Sequence, residues 1–133
     1  MERQAQIDFI LDHYQNPRHY GSLQDASAVS KGANTGCGDM VTFYLMIEAN
    51  ERVSAISFEG EGCTISLAAA SMVAEMIAGK TLAEVTEMPP GVILDLIGFE
   101  IASTRPKCAL LGLNTAKEAA RAARRDFRDP DDV

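Results

Sequence analysis

Val41-Thr42-Phe43-Tyr44-Leu45-Met46-Ile47-Glu48 is a run of period two. Val41, Phe43, Leu45 and Ile47 point one way, and Thr42, Tyr44, Met46 and Glu48 point the other. That alternation marks a strand with one buried face. Asn50-Glu51 turns the chain, and Val53 to Glu59 supplies a second strand. So short a connection makes the two an antiparallel hairpin.

C-terminal to the hairpin the period becomes helical. From Thr64 onward Ile65, Ala68, Ala69, Met72, Met76 and Ile77 form a broad apolar face, and Glu75 is the one charged residue before Gly79. So few charges predict a largely buried helix packed against the sheet, with Gly79 as its C-terminal stop. Thr81 with Glu84 three positions on is a capping box for a short helix. Pro89-Pro90 breaks the chain, Val92 to Ile101 predicts another helix, and Pro106 ends that segment. The last helix is expected from about Cys108 to Phe127, with Leu110, Leu113, Ala116, Ala120 and Phe127 inward, followed by an exposed Asp129-Pro130-Asp131-Asp132 tail.

On the N-terminal side, residues 3 to about 15 predict a helix, with Ile7, Ile10, Leu11 and Tyr14 at helical spacing and Asn16-Pro17 as the stop. A loop containing Gly21 leads to a short extended stretch near Val29. The order predicts an α+β fold: a small antiparallel sheet covered on one face by helices, with an N-terminal helix and a long C-terminal helix. No repeat or linker divides the chain, so residues 1–133 are expected to form one domain.

At 133 residues and 47% hydrophobic composition the chain can bury a sizeable core. Its net charge of −7 argues against a nucleic-acid surface. Arg121, Arg124, Arg125 and Arg128 cluster near a helix C-terminus, where they complement the dipole on a solvated face. No apolar run reaches membrane-span length and Met1-Glu2-Arg3-Gln4 has no signal-peptide character, so a cytoplasmic location without membrane contact is expected.

The chain has three cysteines, Cys37, Cys63 and Cys108, separated by 26 and 45 positions. An odd, sparse count disfavours a disulfide framework. Two readings remain open from composition: reduced thiols for metal or sulfur chemistry, or buried cysteines acting as small hydrophobes. Position favours chemistry. Cys63 and Cys108 fall at helix starts, where free N–H groups and the dipole stabilise thiolate, and Arg105 and Lys107 add positive charge beside Cys108. Cys37 lies between Gly36 and Gly38, which permit close approach of a metal or partner. Asp39 can add an oxygen ligand. Three sulfurs and a carboxylate without a Cys-x-x-Cys pair fit a closed structural zinc site poorly. They suggest a centre from which metal or cluster can leave. His13 and His19 are expected at the surface or in capping roles.

Asn16-Pro17-Arg18 with Gly21, Cys37-Gly38-Asp39, Gly60-Glu61-Gly62-Cys63-Thr64-Ile65-Ser66 and Lys107-Cys108-Ala109, in that order, resemble the IscU/SufU/NifU N-terminal domain family of iron–sulfur cluster assembly scaffolds. The resemblance implies that Cys37, Asp39, Cys63 and Cys108 hold a transient [2Fe-2S] cluster, or Zn2+ in the cluster-free form. It implies that Cys108 accepts persulfide sulfur with Lys107 as its cationic neighbour, and that Asp39 tunes cluster release. The implied partners are a cysteine desulfurase and apo iron–sulfur or carrier proteins, with weak homo-oligomerisation allowed. Such a protein is a scaffold and sulfur acceptor rather than an enzyme.

Two departures bear on the role. IscU carries histidine where this chain has Lys107, and the Leu-Pro-Pro-Val-Lys segment gripped by its chaperone is replaced by Ser103-Thr104-Arg105-Pro106-Lys107. Both changes resemble SufU, although the insertion usual in SufU between the second and third cysteines is missing. The alternative reading is therefore a zinc-dependent sulfurtransferase, and a third is a plain structural zinc module.

Overall fold

The computed structural model describes residues 2–34, 36 and 38–127, without the side chains of Asp126 and Phe127. Cys37, Arg128, the 129–132 tail and the inward placement expected for Phe127 lie outside the described residues. Among the described residues the order is α1 (Arg3–Gln15), β1 (Ala28–Asn34), β2 (Asp39–Ile47), β3 (Val53–Glu61), α2 (Thr64–Ile77), α3 (Leu82–Thr86), α4 (Gly91–Ile97), α5 (Phe99–Ala102) and α6 (Pro106–Phe127). The strands form one antiparallel sheet in the order β1-β2-β3, and α2 and α6 pack on it. This is the expected α+β layering.

The alternation in β2 does what period two requires. Val41, Phe43 and Leu45 are buried, whereas Met40 is exposed. Across the sheet Phe43 stands opposite Phe58, and their rings stack with centroids 5.6 Å apart. Complete burial of one such side chain stabilises the fold by about 1.5–3 kcal/mol. In the next row toward the site end, Gly32, Val41 and Gly60 are paired neighbours. A Cβ on Gly60 would lie 2.7 Å from the Met40 carbonyl oxygen and 3.2 Å from Leu67 Cδ2 of α2, and one on Gly32 would lie 2.0 Å from Thr115 Oγ1 of α6. Two hydrogen-only side chains therefore let both helices close on the end of the sheet where Asp39 and Asn34 pair.

The helices follow their local signals, with three corrections. Thr81 and Glu84 make the reciprocal capping box at the start of α3. The helix expected over 92–101 is instead two short ones, because Gly98 takes a φ of +98° and ends α4. The last helix begins at Pro106, not Cys108. Proline suits the first helical position because the N–H it lacks would have no partner there. Cys108 is thus inside the first turn. Leu113, Ala116 and Ala120 are buried as expected, while Leu110 is half-buried and Leu111 takes the inward place. The stretch near Val29 is a full seven-residue strand, and Val29 itself is exposed. No described helix is long and apolar enough to cross a membrane.

His13 is the third correction: it is 1% exposed. The buried stripe of α1 runs through Ile10 and His13, one turn apart, while Leu11 and Tyr14 face outward. His13 Nδ1 lies 2.8 Å from Ser71 Oγ of α2, and the same oxygen accepts the Arg18 N–H at 2.8 Å. This ties α1 and the turn after it to α2. Burial and the charge of Arg18 hold His13 below the ordinary imidazole value, against the opposing pull of Glu75 and Asp12. Protonation is therefore disfavoured in the folded state. The His13 contribution is intact above pH 6.5 and is lost as pH falls from there toward the depressed folded value. Denaturant melts of metal-free protein should lose stability between pH 7 and pH 5 with a one-proton slope of at most about 1.4 kcal/mol per pH unit. His13→Gln, which can still meet Ser71, should flatten that slope. An unchanged slope in the variant would assign the dependence to other groups.

Candidate metal centre

Three elements meet at one end of the sheet. Asp39 opens β2 on the same face as Val41, and so points toward the helices. Cys63 is the N-cap of α2, its sulfur accepting the Ser66 N–H at 3.4 Å. Cys108 comes from the first turn of α6 and is 1% exposed. Asp39 Oδ2 accepts from Cys108 Sγ at 3.0 Å and lies 4.0 Å from Cys63 Sγ. Oδ1 accepts the Cys63 backbone N–H at 2.9 Å. All three ligand atoms lie within 4.8 Å of one another.

Electrostatics suit a charged carboxylate here. Burial pushes the Asp39 carboxyl up, but hydrogen bonds from Cys108, the Cys63 N–H and Ser66, with the charge of Arg105, hold it below the ordinary value. Burial also pushes the Cys63 thiol up. Hydrogen bonding at the helix start, led by Ser66, outweighs burial and the repulsive Asp39 charge, and the thiol ends below its usual range. A helix start thus favours thiolate at Cys63, as its position in the sequence suggested.

The donor set fits a soft ion. Zinc binds thiolate and carboxylate at about 2.0–2.3 Å, which separates tetrahedral ligands by roughly 3.5–3.8 Å. The observed separations of 3.0 and 4.0 Å bracket that range. Two of the three sequence-expected sulfurs and the expected carboxylate are brought together. Cys37, two positions before Asp39, lies outside the described residues.

A cleft of about 500 Å³ beside the site is lined by Asn34, Gly36, Thr104, Arg105, Pro106, Lys107 and Cys108. Lys107 and Arg105 are exposed on its wall. Asn34 Nδ2 lies 3.5 Å from Cys108 Sγ. Neither Asn34 nor Ser66 was singled out in the sequence as a site residue. Ser66 could have been found from its place three residues after the N-cap Cys63, where side chains return to the cap.

The family model for the NifU-like N terminal domain matches residues 5–129. Among curated relatives, the iron-sulfur cluster assembly scaffold protein IscU 1 of Archaeoglobus fulgidus is 34% identical over 120 residues, covering 90% of this chain and 74% of that protein. The zinc-dependent sulfurtransferase SufU of Bacillus subtilis is 42% identical over 73 residues, 55% of this chain and 48% of that protein. Among solved structures, an iron-sulfur cluster assembly scaffold protein assigned to the SUF system of Fervidobacterium islandicum aligns with a TM-score of 0.71 and 29% identity, over 85% of this chain and 94% of that one.

Proposed function

This chain belongs to the NifU-like N-terminal domain family, and from that membership we propose that it is a scaffold for assembling a transient [2Fe-2S] cluster. Cys37, Asp39, Cys63 and Cys108 are its ligands, a cysteine desulfurase supplies sulfur, and apo or carrier proteins receive the cluster. The observation that carries this reading is the convergence of Asp39, Cys63 and Cys108 from three separate elements within 4.8 Å.

The chemistry follows from where Cys108 sits. As thiolate it attacks the outer sulfur of a persulfide on the desulfurase. A new S–S bond forms on Cys108, the old one breaks, and its electron pair leaves on the donor cysteine as thiolate. Conversion of that sulfur to sulfide takes two electrons from an external reductant, and ferrous iron completes the cluster. The cleft beside Asn34 and Lys107 is the approach to an otherwise buried sulfur, and Lys107 offers positive charge to the incoming anionic persulfide. Asp39 is the hard ligand among soft ones. An oxygen donor holds iron or zinc less firmly than a fourth thiolate, which suits a cargo that must leave.

Anaerobic reconstitution of metal-stripped protein with ferrous iron, cysteine and a desulfurase tests the reading. Wild type should develop a sulfide-to-iron charge-transfer band, and Cys37→Ser and Cys63→Ser should lose it. The likeness to a zinc-dependent sulfurtransferase, with Arg105 and Lys107 before Cys108, supports a second reading in which zinc holds the site and Cys108 relays sulfur. No band, together with persulfide on Cys108 that appears only when zinc is restored, would select the relay.

A further inference from the structure

Ser66 is a fully buried side chain in the first turn of α2, and its hydroxyl touches all three converging residues. Ser66 Oγ lies 2.8 Å from Asp39 Oδ2, 3.5 Å from Cys63 Sγ and 3.5 Å from the Cys108 carbonyl oxygen. A hydroxyl has one proton to give. The carboxylate takes it, being both charged and much the nearest acceptor.

Asp39 Oδ2 thus accepts from two groups, Ser66 and Cys108. They differ in what metal does to them. A ligating thiolate has no proton, so the Cys108 bond to Asp39 disappears when Cys108 binds an ion, and the ion takes the place of that proton. The Ser66 bond survives. It and the Cys63 N–H to Oδ1, both from the start of α2, are then what hold the carboxylate in place beside two negatively charged sulfurs.

We propose that Ser66 is a positioning residue for the metal centre: its hydroxyl fixes Asp39 Oδ2 where it can share an ion with Cys63 and Cys108, and so sets how firmly the ion is kept. This rests on the reading of these three residues as a metal centre. Groups that orient ligands from outside typically change metal affinity by about 10–100-fold when removed.

The test is a zinc titration of metal-free protein against a chromophoric chelator, arranged as a cycle of wild type, Ser66→Ala, Asp39→Ala and the double variant. Ser66→Ala should weaken zinc binding by about 10–100-fold in the Asp39 background. In the Asp39→Ala background the same substitution should change it by less than about threefold, because the residue it acts through is gone. Ser66→Thr, which keeps the hydroxyl, should hold zinc more firmly than Ser66→Ala and covers the case in which the alanine variant does not fold. Wild-type affinity in Ser66→Ala, equal losses in both backgrounds, or a threonine variant as weak as alanine would each overturn the assignment. Failure of wild type to bind zinc, or wild-type affinity in Cys63→Ser, would remove the metal-centre reading and this inference with it.

Discussion

Gly62→Ala should abolish tight zinc binding while leaving the helix and strand content of the protein unchanged. A Cβ at position 62 would lie 2.4 Å from Asp39 Oδ1, 3.0 Å from its Cγ and 3.1 Å from its Cβ. One overlap at the carboxylate tip comes with two tight contacts along the same side chain, so turning the tip alone does not relieve them. The carboxylate has to swing away, and in doing so it gives up the Cys63 N–H at 2.9 Å and the Ser66 hydroxyl at 2.8 Å. Neither donor is stranded by this: the Cys63 N–H is only part-buried, and the Ser66 hydroxyl has the Cys63 sulfur and the Cys108 carbonyl at 3.5 Å, so little draws the carboxylate back. Loss of an outer partner costs about 10–100-fold in metal affinity, and displacing the ligand itself belongs at or beyond the upper end. Chelator competition should therefore show zinc affinity lowered by at least about 100-fold. Gly91→Ala is the control for the added methyl group, since nothing lies within 4 Å of a Cβ there. Its metal affinity should equal wild type. Binding within about tenfold of wild type in Gly62→Ala would mean that Asp39 is not held where the structure has it, or contributes little.

The parts of this fold that could be read directly are those with local causes. The β2–β3 hairpin declares itself through two-residue periodicity, α2 through an apolar run with a single charge, and α3 through Thr81 and Glu84. β1 has a weaker signal, an extended stretch marked by Val29 alone. Ser30-Lys31-Gly32-Ala33-Asn34 contains no β-branched or aromatic residue, and its strand exists because it pairs along the whole edge of β2 and because Gly32 admits α6. Both causes are long-range. The break at Gly98 has a local cause, the positive φ that glycine accepts, but a single glycine inside an apolar helical run does not by itself announce a stop. At the site, thiols and an aspartate beside glycines are legible as chemistry. The burial of Cys108 is not, since it depends on how α6 packs on α2 and the sheet, and Ser66 is legible only as a side chain returning to the Cys63 cap, its bond to Asp39 depending on how α2 meets β2. His13 followed the same logic. Its polarity suggested the surface, but Ser71 on α2 gives it a buried partner.

Gly32→Ala should destabilise the protein by about 1–3 kcal/mol, the range for overpacking a closed contact, and Thr115→Ala should relieve the overlap that causes it. The overlap is specific. A Cβ at position 32 would lie 2.0 Å from Thr115 Oγ1, but 3.2 Å from Thr115 Cβ and 3.3 Å from Leu111 Cδ1. Removing the hydroxyl converts a prohibitive contact into a tight one. Taken alone, Thr115→Ala gives up a hydrogen bond from Oγ1 to the Leu111 carbonyl at 2.8 Å, a loss of about 1 kcal/mol. The double variant should therefore be more stable than the sum of the single losses predicts, by a coupling of roughly 1–2 kcal/mol. Urea melts of the four proteins measure it. The contact also connects stability to the site, because Gly32 lies two positions before Asn34 and Thr115 two turns after Cys108 on the same helix. If Gly32→Ala lifts α6 from β1, Cys108 moves away from Asp39, and zinc affinity should fall in the single variant and recover in the double. Additive stability losses would show that the strand yields elsewhere than at Thr115. Unchanged zinc affinity in a destabilised Gly32→Ala would show that the first turn of α6 is held by the metal site rather than by the sheet.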